Sequence, residues 1–170
     1  YSADSDINNI EIINNGIGTI LLKGGGIYME NSNPNINNVQ IIGNGSTVSY
    51  AGGGIYMENS NPIITNVQIS ENASVRGSGM YIINSNPILR DLEIYDNGGG
   101  IHGGGMYLES SNPSIEKTRL QKNITDKAGG GIYLKNSNPS LKYVIITDNN
   151  TIMEGSSGAG IFLFNSNPSL

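Results

Sequence analysis

The sequence predicts an all-β fold, a right-handed parallel β-helix of about six coils with three short strands in each. Three observations predict it: a motif that returns at near-constant spacing, apolar residues that alternate within each copy, and glycine and asparagine at fixed places between them. The motif is NSNP, once SSNP, with its proline at Pro34, Pro62, Pro87, Pro113, Pro139 and Pro168, spaced by 28, 25, 26, 26 and 29 residues. Periods of this size mark stacked repeats, in which one unit buries its apolar face only against the next. A single antiparallel sandwich would not demand one column pattern in every unit. Right-handedness is the expected sense of parallel crossovers.

Each unit reads in the same order. Ten residues before the proline stands Gly24, Gly52, Gly77, Gly103, Gly129 or Gly158, and eight before it Gly26, Gly54, Gly79, Gly105, Gly131 or Gly160. Ten residues after it stands Asn44, Asn72, Asn97, Asn123 or Asn149. A weaker copy opens the chain, with Ser5 in the proline place and Asn15 in the asparagine place. We read one domain over 1–170, with coils near 1–23, 24–51, 52–76, 77–102, 103–128, 129–157 and a partial 158–170.

The first strand of a unit alternates, as in Ile27, Tyr28, Met29 and Glu30. Period-two alternation is a strand signal, and it sends the Ile27 and Met29 columns inward. After the proline come columns headed by Ile36, Val39 and Ile41, aliphatic in nearly every copy. The three-residue step from Ile36 to Val39 breaks the alternation and places a bend there. Coils stacked ~4.8 Å apart would give a rod of roughly 30 Å.

The corners carry asparagine, which tolerates left-handed backbone and bonds amides. Stacked at the strand spacing, side-chain amides can bond along the rod as a ladder. The expected ladder is Asn15, Asn44, Asn72, Asn97, Asn123 and Asn149, with the Asn31 column as a second candidate. The glycine columns are expected at backbone angles that residues with Cβ avoid.

Composition excludes several functions. Glycine and asparagine, 24 and 25 residues of 170, load the chain against helix. With no cysteine there is no disulfide framework and no thiolate ligand or nucleophile. A net charge of −5 argues against nucleic acid as the partner. No apolar run approaches the ~20 residues of a membrane helix, so membrane insertion is not expected. GGGIY lacks the regular aspartate of glycine-rich calcium repeats, so neither metal nor cofactor is expected.

The unit GGGIYMENSNPIITNVQISEN resembles the repeats of right-handed parallel β-helix proteins, the pectate lyase-like superfamily. It is closest in flavour to the Gly/Asn-rich repeats of large bacterial surface and secreted proteins. The resemblance covers nearly the whole chain and implies an extracellular or cell-surface location. It implies a structural stalk or adhesin-like segment. The alternative it implies is a carbohydrate-active β-helix, a polysaccharide lyase or glycoside hydrolase, or a glycan-binding module.

Three features could carry function. The aromatic column Tyr28, Tyr56, Tyr81, Tyr107, Tyr133 and Phe162 shares parity with Glu30, so it is expected to face solvent. Beside the side-chain-free Gly26 column it would make a trough for a polysaccharide or a host or cell-surface glycan. The loops after the ladder asparagine vary: GSTVSYA, ASVR, GGGIH, ITDKA, NTIMEGSS. They carry Arg76, His102, Asp126, Lys127 and Glu154. Asp126 and Glu154, with Arg76, are the candidates for glycosidic acid–base work, while His102 is expected to be solvated. Third, Asn44, Asn72, Asn123 and Asn149 each head a glycosylation triplet, but ladder amides would be buried. The chain opens and closes in a corner, so we expect a piece of a longer chain, meeting neighbouring coils of that chain, or a unit that stacks end to end.

Overall fold

The computed structural model describes residues 5–16, 23–45 and 50–170. The chain's opening residues and the centre of the loop GSTVSYA therefore lie outside the described residues. Every strand pairs in parallel with its counterpart one coil away, which is the arrangement of a β-helix. Among the described residues three sheets run along it, of nine, six and three strands.

The six-stranded sheet carries the tyrosines: Ile27–Glu30, Ile55–Glu58, Met80–Ile83, Met106–Glu109, Ile132–Lys135 and Ile161–Phe164. Its register is residue for residue, Ile27 on Ile55 and Met106 on Ile132. The nine-stranded sheet follows the proline. Its early strands, Asn35–Ile42 and Ile63–Ser70, are single and bent; later ones split, as Ile88–Arg90 and Glu93–Tyr95. The bend falls between Ile36 and Val39, where the three-residue step placed it. Left-handed backbone makes it, with φ of 54° at Asn38, 53° at Asn66 and 52° at Asp91.

The third sheet is Gly100–His102, Ile124–Ala128 and Asn150–Thr151. It corrects the expectation that these variable segments are plain loops. Their lengths differ, yet each still runs parallel to the one beneath it, because Thr125 Oγ1 and several backbone amides bond the coil before. Between the sheets the core is continuous. Ile36, Ile64, Leu89 and Ile115 are fully buried, as are Ile41, Ile69, Ile94 and Leu120.

Glycine serves two different purposes. Gly77 sits at φ +58°, the left-handed angle expected of its column. Gly79 does not. A Cβ there would lie 2.5 Å from the Gly105 carbonyl and 3.2 Å from Asn97 Nδ2. The Gly26 column thus points inward at the ladder, and the expectation that it floors an outer trough is corrected. Strand parity does not extend back to Gly26, because the strand begins at Ile27.

Candidate functional site: the asparagine file and the tyrosine face

The asparagines that follow the long sheet form one file through the interior. Asn97 Oδ1 accepts from Asn72 N and Nδ2, both at 3.0 Å. Asn97 Nδ2 in turn donates to Asn123 Oδ1 at 3.0 Å and to Ile69 O at 2.9 Å. The pattern runs from Asn15 through Asn44, Asn72, Asn97 and Asn123 to Asn149. Buried amides must be satisfied, and here each oxygen takes two donors. Asn44, Asn72 and Asn123 are buried with their nitrogens bonded, so these glycosylation triplets are sealed; Asn149 is half-buried, its nitrogen likewise bonded.

The Asn31 column does something else. Asn31, Asn59, Asn84, Ser110, Asn136 and Asn165 are exposed at left-handed φ and only turn the corner. The next two residues make the ladders. Ser60 N donates to Ser85 Oγ at 2.9 Å, while Ser60 Oγ donates to Glu58 O at 2.8 Å. Asn86 N donates to Asn61 Oδ1 at 2.7 Å, running the other way along the rod. The sequence signal was present: serine and asparagine precede proline in all six copies.

The tyrosine column forms an unbroken ring stack. Centroids lie 5.3, 5.4, 4.9, 4.7 and 4.9 Å apart from Tyr28 through Tyr56, Tyr81, Tyr107 and Tyr133 to Phe162. Outer parity predicts solvent exposure, and for three rings this is corrected. Tyr56, Tyr81 and Tyr107 are only 2%, 3% and 4% exposed, whereas Tyr28 is 45% exposed. The variable segments cover them. Ala51 joins the three rings in one buried cluster, and the His102 ring stacks on Tyr133 at 4.7 Å. Lys23 lies 5.0 Å over Tyr56 and bonds Glu58 at 3.5 Å.

Burial sets the electrostatics of this face. It pushes the Tyr56 phenol up to about 12, helped by the bond from its hydroxyl to Glu58 at 2.9 Å. Burial pushes Tyr81 and Tyr107 up as well. Burial also pushes the Glu109 carboxyl up, but bonds from Lys135 and Tyr81, both 2.7 Å, outweigh it and hold it below its usual value. His102 is not solvated as expected. Burial, then Arg76 and Lys127, lower its pKa, and its buried Nδ1 has no partner among the described residues.

Of the candidate acid–base residues, Asp126 and Glu154 lie on adjacent coils, where Met153 N donates to Asp126 O at 2.9 Å. Asp126 lies on Ile124–Ala128; Glu154 is exposed in a turn before Gly155. Arg76 is bridged to His102 and bonds the Tyr50 hydroxyl at 3.3 Å. The three occupy three different coils. Among the described residues no three His, Asp or Glu side chains gather as a metal site would need.

Parallel coils, an internal asparagine file and a continuous aliphatic core define a β-solenoid repeat protein. The chain belongs to the right-handed β-helix family: the model of the right handed beta helix region matches residues 25–170. Comparison with curated proteins and with solved structures finds no match.

Proposed function

We propose that this chain is a structural and interaction segment, a rigid stalk or adhesin-like region of a secreted or cell-surface protein. One observation carries the reading. The polar side chains kept in every coil bond the neighbouring coil: the Asn44 file, the Ser32 file and the Asn33 file all do so. Repeated chemistry of this kind holds a rod together, as expected for a fold whose units stabilise one another only through their interfaces. Partners would then meet the sides of the rod, and further coils or another copy would meet its ends.

A carbohydrate-active enzyme is the competing reading, with Asp126, Glu154 and Arg76 as its candidates. A glycan array, with product release from acidic and neutral polysaccharides followed in the same samples, separates the two. Binding without turnover, or no binding at all, is expected of an interaction segment or stalk. Turnover that disappears in Asp126→Asn or Glu154→Gln overturns the proposal.

A further inference from the structure

Outside the tyrosine face, the bend in the nine-stranded sheet makes a groove along the rod. Two columns line it. One holds the bend residues Asn9, Asn38, Asn66, Asp91, Lys117 and Tyr143, all at left-handed φ. The other is two residues further on: Glu11, Gln40, Gln68, Glu93, Arg119 and Ile145, in register coil by coil. Three recesses of about 190, 250 and 220 Å³ follow one another along it. They are continuous, because the first two share Asn38 and Gln40 and the last two share Glu93. Buried Val39, Val67, Leu92 and Thr118 stiffen the floor from below.

The chemistry changes along the groove. The second and third coils present only uncharged amides. Asn38 Nδ2 bonds Asn9 Oδ1 at 2.7 Å, and Asn66 Nδ2 bonds Asn38 Oδ1 at 3.2 Å. Each donor amide keeps a second N–H for a ligand. Gln68 donates to the Tyr95 hydroxyl, which fixes its rotamer. Carboxylates flank this stretch at Glu11, Asp91 and Glu93, and Arg119 meets Glu93 at 3.6 Å. At the far end Tyr143 is 71% exposed beside Ile145.

We propose that this groove binds a linear, neutral oligosaccharide laid along the rod axis. Planar amides and carboxylates offer paired donors and acceptors that match adjacent hydroxyls, and Tyr143, which carries Lys142 Nζ 5.3 Å from its ring centroid and is otherwise exposed, offers a ring for a sugar. Glu11, Asp91 and Glu93 repel uronate, sulfate and phosphate chains from the amide stretch, and of the two cations beyond it Arg119 is paired with Glu93 while Lys117 is exposed. The coil step of ~4.8 Å lets successive coils meet successive units of an extended chain. This deepens the reading of the chain as an interaction segment and names its partner class.

The test uses the whole chain and titration calorimetry with cellohexaose, mannohexaose, xylohexaose and a hexagalacturonate. Gln40 and Gln68 stand outside the core and off the left-handed positions, so Gln40→Ala/Gln68→Ala is expected to leave the fold intact by circular dichroism. At least one neutral hexasaccharide is expected to bind, at least tenfold more weakly in that double variant and unchanged in Tyr28→Ser. Three results overturn the groove: no neutral ligand binding, affinity indifferent to the double variant, or preference for the galacturonate. Cleavage of a bound hexasaccharide would instead overturn the non-enzymatic reading and leave the groove standing.

Discussion

Two files of asparagine look alike in the first coils and then differ. The inner file, from Asn15 to Asn149, stays asparagine throughout. The outer bend file begins Asn9, Asn38, Asn66 and then becomes Asp91, Lys117 and Tyr143. Both belong to corners. The inner amide of Asn97 is closed in inside the rod, its oxygen by two donors and its nitrogen by three acceptors, which holds the position to asparagine. The outer residues bond one another only where they are asparagine, and beyond Asn66 they share a backbone angle, φ 49° at Lys117 and 54° at Tyr143. Their side chains face solvent and are free to specialise. A corner thus dictates the residue only where the side chain turns in.

The comparison breaks most readily at the glycine that touches the inner file. Gly79→Ala puts a Cβ against the Gly105 carbonyl and Asn97 Nδ2, so a loss of about 3 kcal/mol is expected in urea unfolding. A loss below about 1 kcal/mol would show that the coils separate easily. Alkaline pH should come next. The tyrosines have folded pKa values raised above the ordinary 10.0, so their stabilisation is complete below about pH 10 and is lost as pH rises through the folded values. The melting temperature should therefore fall steadily above about pH 10, and a flat profile to pH 12 would mean the rings are open to solvent.

His102 gives a smaller effect of opposite sense. Its folded pKa is lowered, so its contribution is complete above the ordinary 6.5 and is lost as pH falls below it. His102→Phe keeps the stack on Tyr133, removes the unpartnered Nδ1 and should flatten the melting profile between pH 7 and 5. The smallest change is on the outer file. Lys117→Asn should stabilise by about 0.5 kcal/mol, because asparagine tolerates left-handed backbone better than lysine.

The sequence displayed the core plainly. The Ile27, Met29, Ile36 and Ile41 columns repeat with one parity, and parity decides which way a strand side chain points. It does not decide what lies on the outer face. Tyr81 points outward and is still buried, since the segment after each ladder asparagine folds back over it, and nothing in those segments' unequal lengths announces a strand. Gly79 escapes parity for a related reason: alternation holds only from the strand's first residue, Met80, and before it the chain has already turned inward. The serine file was legible in principle, because Ser60 and its counterparts recur without exception, but recurrence alone does not tell a bonded hydroxyl from an unbonded one. The groove was illegible, since its residues change type from coil to coil and only the shared φ at Asn38, Asn66 and Asp91 unites them.

The most direct test melts Asn97→Ala and Asn66→Ala side by side. Asn97→Ala orphans the buried Asn72 amide and should cost about 3 kcal/mol. Asn66→Ala loses one exposed bond and some left-handed preference, and should cost about 1 kcal/mol. Equal losses in the two variants would contradict the division between an inner file that holds the rod and an outer file free to bind.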